Sequence, residues 1–175
     1  KFPTRYNYIG LGKGGNGARP RDVMDTLMSV LRRMVEKDGS VAIFHWGSYD
    51  ATCIRKHVEE TMKLAMNTGW LSKICLIDLC AVAMDCGMAV KGSLNFQLKC
   101  VVNALAGQGH FKNPYENSLV DHGEGSIQVY EQFVAPEHVS PRVREGCGDW
   151  LRAYNLADCV SVEEIRRVIS HAPMV

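Results

Sequence analysis

An alternation of short apolar runs with segments of helical periodicity constrains the fold of this chain more than any other feature. Val41–His45 and residues 74–79 are apolar and bounded by turn residues, which predicts two buried strands. Residues 6–11 have the aromatic and β-branched composition of a further strand. Alternating strands and helices predict an α/β fold in which helices cover a central sheet. The predicted helices cover residues 22–37, 49–66, 96–105, 126–133 and 149–171.

Local signals predict where some of these elements begin and end. Asp22, which follows Pro20 closely, is a candidate cap for the first helix. Asp78, between two apolar residues, is predicted to hold a backbone turn. The glycine-rich residues 12–17 lack the spacing of a phosphate-binding loop and predict a hairpin or a mobile connection. Pro141 is expected to interrupt the chain before the last helix.

The bulk composition predicts a single globular domain over residues 1–175. Hydrophobic residues make up 46% of the chain and charged residues 22%, a balance that excludes a disordered chain. A formal net charge of +1 excludes a positive electrostatic potential over the whole surface that would attract nucleic acid. Any polyanion site must therefore be a local patch or a metal-loaded cleft.

The seven cysteines and the absence of a long apolar stretch bear on the compartment. An odd cysteine count without a C-x-x-C spacing favours neither a secreted disulfide framework nor a structural zinc site. We therefore predict buried, reduced cysteines and an intracellular, reducing compartment, the cytoplasm or nucleus. No run approaches the roughly 20 apolar residues of a membrane span. The start at Lys1 predicts a fragment of a longer protein.

Candidate chemical groups follow the first apolar run and lie on the last predicted helix. In open α/β sheets functional groups gather at the carboxyl ends of strands, where His45 and then Asp50 occur. Tyr154 and Asp158 are four residues apart, so one face of a helix presents both. Carboxylates from such places can hold Mg²⁺ or Mn²⁺, and paired ions can drive phosphodiester hydrolysis. A phenol one turn away could orient the attacking water.

These residues resemble the motifs of the ribonuclease H-like DEDD 3′→5′ exonucleases. Tyr154-x-x-x-Asp158 is similar to their third motif in the variant with a water-orienting tyrosine. The segment from His45 to Asp50 is similar to their second motif, N-x-x-x-F-D in family B polymerase proofreading domains. The resemblance implies that Asp50 and Asp158 bind Mg²⁺ or Mn²⁺ and that Tyr154 positions the nucleophile. It also implies that His45 contacts the substrate.

A closer resemblance, over about residues 5–170, is to the predicted RecB-associated ribonuclease H-like nucleases of microbes and viruses. It implies a mixed sheet flanked by helices and a metal-dependent exonuclease acting on single-stranded 3′ ends of DNA or RNA. Other domains of a longer nuclease, helicase or polymerase are the implied protein partners. The shared segments, in order, are Tyr49-Asp50, Asp78-Leu79, Leu98-Lys99, Tyr154-Asn155 and Asp158-Cys159.

The first motif of that family, D-x-E on the first strand, is not in this chain, and no acidic residue precedes Asp22. One explanation is that this strand lies in a segment before Lys1, and this is the explanation we adopt. The alternative is a catalytically inactive nuclease-fold module used for nucleic-acid binding or assembly. A third hypothesis, a Cys/His zinc protein, would require stoichiometric zinc.

Each candidate residue also has a purely structural interpretation. Asp50 could cap a helix, His45 could be a core histidine with its hydrogen bonds satisfied, and Tyr154 could be a core aromatic. Asp158 lies among apolar residues, where a carboxylate needs a partner. Two candidates for substrate binding also have two interpretations each. Trp46 could stack on a base or pack under a helix. Lys99 could contact a phosphate or be a solvated helix position.

Overall fold

A computed structural model of the protein describes residues 20–62, 69–115, 129 and 140–171. The predicted strand at residues 6–11, the glycine-rich residues 12–17 and nearly all of the predicted helix at 126–133 lie outside these ranges. The described residues form a mixed α/β structure with five α-helices and a small sheet of two parallel strands. The α/β class predicted from the alternation of elements is confirmed.

Within the described ranges the elements follow one another in the order that the sequence predicted, with two additions, a 3₁₀ turn and a short helix after the second strand. A 3₁₀ turn, Gly69–Lys73, leads into the second strand. The elements are α1 (Pro20–Asp38), β1 (Val41–His45), α2 (Ser48–Met62), β2 (Ile74–Asp78), α3 (Leu79–Asp85), α4 (Leu98–Gly107) and α5 (Pro141–His171).

The chain divides into two compact units. Among the described residues, the first unit comprises 20–43, 48–62 and 69–77, and the second comprises 44–47, 78–115, 129 and 140–171. In the first unit Met28, Leu31 and Val35 are buried at helical spacing on α1 and pack with Val41 of β1. Partly buried residues of α2 and the 3₁₀ turn, including Val58 and Trp70, cover this cluster. The face of α1 that carries these three residues is therefore its core face.

In the second unit α4 and α5 pack against each other around one hydrophobic cluster. One face of α4 supplies the buried residues Val101, Val102 and Leu105, and Leu98 packs against them. From α5 the cluster takes Ala157 and Ile165, which lie on the face that also carries Tyr154 and Asp158. Buried apolar residues and polar candidate residues thus share one face of α5. Packing of α4 on that face therefore determines where the side chains of Tyr154 and Asp158 lie.

Two helices begin at a proline, which corrects two predictions. The first helix begins at Pro20, so Asp22 is its third residue and not its N-cap position. The last helix begins at Pro141, well before the predicted start at Asp149, although it ends at His171 as predicted. Proline suits the first helical position, because its fixed φ matches the helix and its missing N–H would have no partner there.

Asp78 joins the end of β1 to the start of α3. Its Oδ1 accepts hydrogen bonds from the backbone N–H of Gly47 at 3.0 Å, Cys80 at 2.9 Å and Ala81 at 3.3 Å. This capping ends β2 at Asp78, so Leu79 is the first residue of α3 and not the last of a strand. Gly47 has φ of +79°, a conformation that favours glycine, and so the turn can present its N–H to Asp78. The prediction that Asp78 holds a backbone turn is confirmed.

The predicted burial of the strands and of the cysteines is largely wrong. Only Val41 and His45 of β1 are buried, and no residue of β2 is fully buried. The seven cysteines, all in the described part of the chain, form no disulfide there, but only Cys80 is buried, and its thiol pKa is raised by that burial and by Asp78. An apolar run is continuously buried only where helices cover both sheet faces, and apolar sequence neighbours do not decide which face a cysteine occupies. The exposed cysteines are Cys53, Cys75, Cys86 and Cys159.

None of the helices in the described part of the chain is long and apolar enough to cross a membrane. The longest, α5, carries charged side chains along its length.

Replacing Asp78 with Ala should destabilise the protein. The substitution removes a helix cap and leaves the Gly47 N–H without its acceptor, which together cost about 2 kcal/mol. Urea denaturation followed by circular dichroism measures the loss. Asp78→Asn is the matched control, since its amide oxygen can still accept, and it should retain most of the stability. A loss below about 0.5 kcal/mol in the alanine variant would contradict the capping role.

Glu163 should make stability depend on pH in the acid range. Arg166 donates two hydrogen bonds to its carboxylate, at 2.7 and 2.9 Å, and this pairing, with help from Arg167, lowers the pKa of Glu163. Because the folded pKa lies below the unfolded one, the stabilisation is present above the unfolded pKa and is lost as the pH falls through the folded pKa.

Glu163→Gln should therefore cost about 0.5–1 kcal/mol at pH 7 in this partly exposed pair, and the difference from wild type should vanish at low pH. Urea unfolding at a series of pH values tests this. Glu164→Gln, which loses one hydrogen bond with Arg167, is the control and should cost less. A Glu163→Gln penalty that persists unchanged into strong acid would show that the carboxylate charge is not its source.

Candidate functional site

The last helix places Tyr154 and Asp158 one turn apart, as their spacing predicted. Both side chains are partly buried, on the helix face that also carries the buried Ala157 and the fully buried Ser161. Ser161 donates a hydrogen bond to the Ala157 carbonyl at 2.7 Å, and its hydroxyl also lies within hydrogen-bonding reach of the Tyr115 phenol. The polar pair therefore lies at the margin of the hydrophobic cluster between α4 and α5, where its groups are only partly hydrated.

Asp158 has the partner that its apolar surroundings required. The hydroxyl of Tyr115 donates a short hydrogen bond to Oδ1 of Asp158. Tyr115 is 8% exposed and belongs to the hydrophobic cluster, so its hydroxyl, like the carboxylate, lies at the edge of the core. A buried phenol and a partly buried carboxylate each need a hydrogen-bond partner, and each satisfies the other here.

Lys99 of α4 extends over the same tyrosines. Its Nζ lies 4.7 Å from the centre of the Tyr154 ring and 5.0 Å from the centre of the Tyr115 ring. A cation at this distance is attracted to the negative face of an aromatic ring. The structure therefore brings together three of the predicted residues, Lys99, Tyr154 and Asp158, although Lys99 is on α4 and the other two are on α5.

A row of aromatic rings completes this cluster. The rings of Trp150 and Tyr154 are stacked, with centroids 5.3 Å apart and an interplanar angle of 21°. The rings of Tyr154 and Tyr115 are tilted, with centroids 6.4 Å apart. Both arrangements are among those that aromatic quadrupoles favour. We refer to Lys99, Tyr115, Trp150, Tyr154 and Asp158 as the Tyr–Asp cluster.

The backbone near Tyr115 is tied to α4 by two asparagines. Oδ1 of Asn113 accepts from the Tyr115 N–H at 2.9 Å, and Nδ2 of Asn113 donates to Oδ1 of Asn103 at 2.7 Å. Asn103 is on α4, the helix that also carries Lys99. Tyr115 is thus held at its backbone by one helix and at its hydroxyl by another.

Both clustered tyrosines are stabilised as neutral phenols. Burial, followed by the hydrogen bond to Asp158, raises the pKa of Tyr115 well above its usual range. Burial and the nearby Asp158 charge also raise the pKa of Tyr154. At neutral pH each therefore retains a proton that it can donate, and neither adds negative charge beside the carboxylate.

His45 and Trp46, at the carboxyl end of β1, have structural roles in the second unit. His45 is 6% exposed, and its Nδ1 donates to the Gly47 carbonyl at 2.7 Å. The indole N–H of Trp46 donates to the Phe96 carbonyl at 2.7 Å, and its ring packs against the hydrophobic cluster. This geometry favours the core histidine and the packed tryptophan over the predicted substrate contacts.

Asp50 belongs to the first unit, where it is exposed in the first turn of α2. It is the third residue of that helix, so it is not the cap itself, although its charge suits the positive end of the helix dipole. Within the described ranges, no three His, Cys, Asp or Glu side chains come together as a metal-ligand group. In the Tyr–Asp cluster Asp158 is the carboxylate that could supply a hard oxygen ligand.

Sequence reasoning missed Tyr115 and Trp150. Trp150 precedes Tyr154 by one helical turn, so the spacing that linked Tyr154 to Asp158 could also have found it. Tyr115 follows α4 in a polar segment with no periodic pattern. No local signal identifies it, because its contacts arise only from the packing of α4 and α5.

No protein-family model matches this chain, and comparison with curated proteins and with solved structures also finds no match. The class of protein must therefore be argued from the motifs and from the Tyr–Asp cluster.

Replacing Trp46 with Phe distinguishes packing from base stacking. The variant keeps an aromatic ring but loses the N–H that donates to Phe96, so we expect a loss of about 1 kcal/mol in the free energy of unfolding. The affinity for a single-stranded oligonucleotide should not change. Urea denaturation and fluorescence anisotropy measure the two quantities. A Trp46→Phe protein of wild-type stability with weakened oligonucleotide binding would instead support stacking on a base.

Proposed function

We propose that this protein is a ribonuclease H-like 3′→5′ exonuclease domain that hydrolyses the terminal phosphodiester of a single-stranded nucleic acid. One observation carries the proposal: Lys99, Tyr154 and Asp158 lie together in the second unit. The exonuclease resemblance had selected these residues from separate sequence motifs. Two parallel strands with flanking helices are compatible with the ribonuclease H-like part of the proposal.

Each clustered group has a role that suits a phosphodiester substrate. The Lys99 ammonium has three N–H donors and can bind a phosphate oxygen while its stem stays on the tyrosine rings. The Tyr154 phenol, whose raised pKa keeps its proton in place, can orient a water or a phosphate oxygen by hydrogen bonding. Trp150, stacked on Tyr154, restricts the orientation of that ring.

Asp158 fits a Mg²⁺ or Mn²⁺ ligand by the chemistry of its oxygen atoms. An ionised carboxylate has about four lone-pair sites, so it can accept hydrogen bonds and coordinate a cation at the same time. A bound divalent cation would supply a water nucleophile at neutral pH and stabilise the leaving oxygen. Asp158 alone cannot complete such a site. The assignment of Asp50 as a second ligand rests on the motif resemblance.

The alternative is a catalytically inactive nuclease-fold module that binds a nucleic-acid strand. The observation that favours it is the aromatic and cationic character of the Tyr–Asp cluster, since stacked rings and an ammonium can bind a strand without any metal. Both functions predict strand binding through Lys99. They differ in whether Asp158 is required for cleavage.

The deciding experiment is degradation of a 5′-labelled single strand by the natural protein that contains this chain, with Mn²⁺ present. The 5′ label retains the full ladder of shortened products, so 3′→5′ degradation is directly visible. Asp158→Asn should abolish degradation with little loss of stability, because the amide oxygen can still accept from Tyr115. Tyr154→Phe should slow degradation about 100-fold through loss of orientation.

Asp149→Asn is the matched control, because Asp149 is an exposed acid of the same helix that pairs with Arg152. It should degrade the strand at the wild-type rate. Degradation by Asp158→Asn at the wild-type rate would contradict the proposal. A folded natural protein that binds the strand through Lys99 without degrading it would support the binding module.

A further inference from the structure

Trp150 differs from the other two tryptophans in what its ring contacts. Trp46 packs against the hydrophobic cluster of the second unit, where its indole N–H donates to the Phe96 carbonyl. Trp70 packs against the hydrophobic cluster of the first unit. Within the described ranges, Trp150 belongs to neither cluster, and its aromatic contact is the stack on Tyr154. Core packing therefore does not account for this partly buried indole.

The rings of Tyr115, Tyr154 and Trp150 form a row that begins in the core. Tyr115 is buried in the hydrophobic cluster, whereas Tyr154 and Trp150 are partly buried. The centroids are 6.4 Å apart for the two tyrosines and 5.3 Å apart for Tyr154 and Trp150. Aromatic faces favour offset stacking, so a further flat ring can extend such a row at Trp150.

A cation lies beside this row of rings. The Lys99 ammonium is 4.7 Å from the centre of the Tyr154 ring, so Tyr154 contacts both a cation and an indole. A nucleotide has the complementary groups, since its flat base can stack on an aromatic side chain and its phosphate can accept from an ammonium. The base and the phosphate are joined through one sugar, which suits two protein groups that share one neighbour. These contacts require no metal ion.

We propose that Trp150 is the residue on which a base of the bound strand stacks, next to the phosphodiester that Tyr154 contacts. This role rests on the proposed exonuclease function and adds the class of substrate, a single-stranded 3′ end of any sequence. Every base has a π-face, so stacking binds a base without selecting its identity. A base inside a duplex is already paired and stacked, and freeing it costs energy, so the site favours unpaired ends.

The bland alternative is that Trp150 only stabilises α5. An aromatic ring four residues before Tyr154 makes a favourable contact along the helix, and such a contact contributes little to stability. A leucine at this position would make a similar contact with Tyr154 but could not stack on a base. Helix stabilisation and base stacking therefore predict different results for Trp150→Leu.

The variants compare rings that lie beside a cation. Trp150→Phe keeps a ring and Trp150→Leu removes it, with Trp150→Met as the ringless replacement if the leucine variant does not fold. Phe44→Leu is the matched control, because Phe44 is an exposed ring of the second unit that lies 5.5 Å from the Arg166 guanidinium. Arg166 is paired with Glu163, so its charge is already compensated. Circular dichroism verifies folding.

Strand affinity is measured on the natural protein by fluorescence anisotropy of a 5′-labelled DNA oligonucleotide in EDTA, so neither metal nor turnover contributes. The oligonucleotide is used complete, with a 3′-terminal abasic nucleotide, and with a penultimate abasic nucleotide. We expect Trp150→Leu to bind the complete strand at least about fivefold more weakly than wild type. Trp150→Phe and Phe44→Leu should both stay within about twofold of wild type.

The abasic strands show whether the indole and a base act through one contact. Wild type should bind one of the two abasic strands about as weakly as Trp150→Leu binds the complete strand. Trp150→Leu should bind that abasic strand and the complete strand equally well, because one contact cannot be lost twice.

Wild-type affinity of the ringless variant would overturn the stacking role, and so would an equal loss in Phe44→Leu. Losses from the substitution and from both abasic positions that simply add would also overturn it, since the base would then stack elsewhere.

Degradation of the same strand in Mn²⁺ separates this role from the proposed function. If the indole and a base are coupled but wild type does not degrade the strand, the exonuclease function fails and base stacking by Trp150 is supported. If wild type degrades the strand and needs Asp158, while Trp150→Leu binds normally, the exonuclease function is supported and the stacking role fails.

Discussion

Packing of α4 against α5 is the constraint on which the second unit and its Tyr–Asp cluster depend. Val101, Val102 and Leu105 of α4 are almost fully buried, and Ile165 of α5 is fully buried against the same cluster. Apolar burial supplies the driving force, and the helical period then determines which side chains lie at the margin of the contact. Lys99 and Asp158 approach the same tyrosines because each is on the helix turn next to these buried residues.

A polar group placed at such a margin must be satisfied, and this requirement explains the Tyr–Asp cluster. Asp158 is partly removed from water, so its carboxylate would lose solvation without a donor. Tyr115 supplies the donor from a segment that α4 holds through two asparagines. The ring of Tyr115 packs in the core and also faces the Lys99 ammonium.

Where the two strands end, a carboxylate has a different role, which is to accept backbone hydrogen bonds. Asp78 accepts from three backbone N–H groups and so ends β2, begins α3 and secures the turn at Gly47. The exonuclease resemblance placed Asp78 in a family segment, yet the hydrogen bonds assign it a structural role. His45 and Trp46 follow the same pattern, since their polar atoms are paired with backbone carbonyls. Polar or ionisable residues at the end of a strand therefore do not by themselves indicate a functional site.

The sequence determined the α/β class, the positions of β1, α1 and α4, the end of α5 and the spacing that sets Tyr154 beside Asp158, because local periodicity encodes each of these. It also predicted that Asp158 needs a partner, but it could not say which residue that is. Tertiary structure decided that Tyr115 is the partner, that Lys99 lies over both tyrosines, and that most cysteines are exposed. These outcomes depend on contacts between residues distant along the chain, which are set by how two helices pack and not by any local pattern.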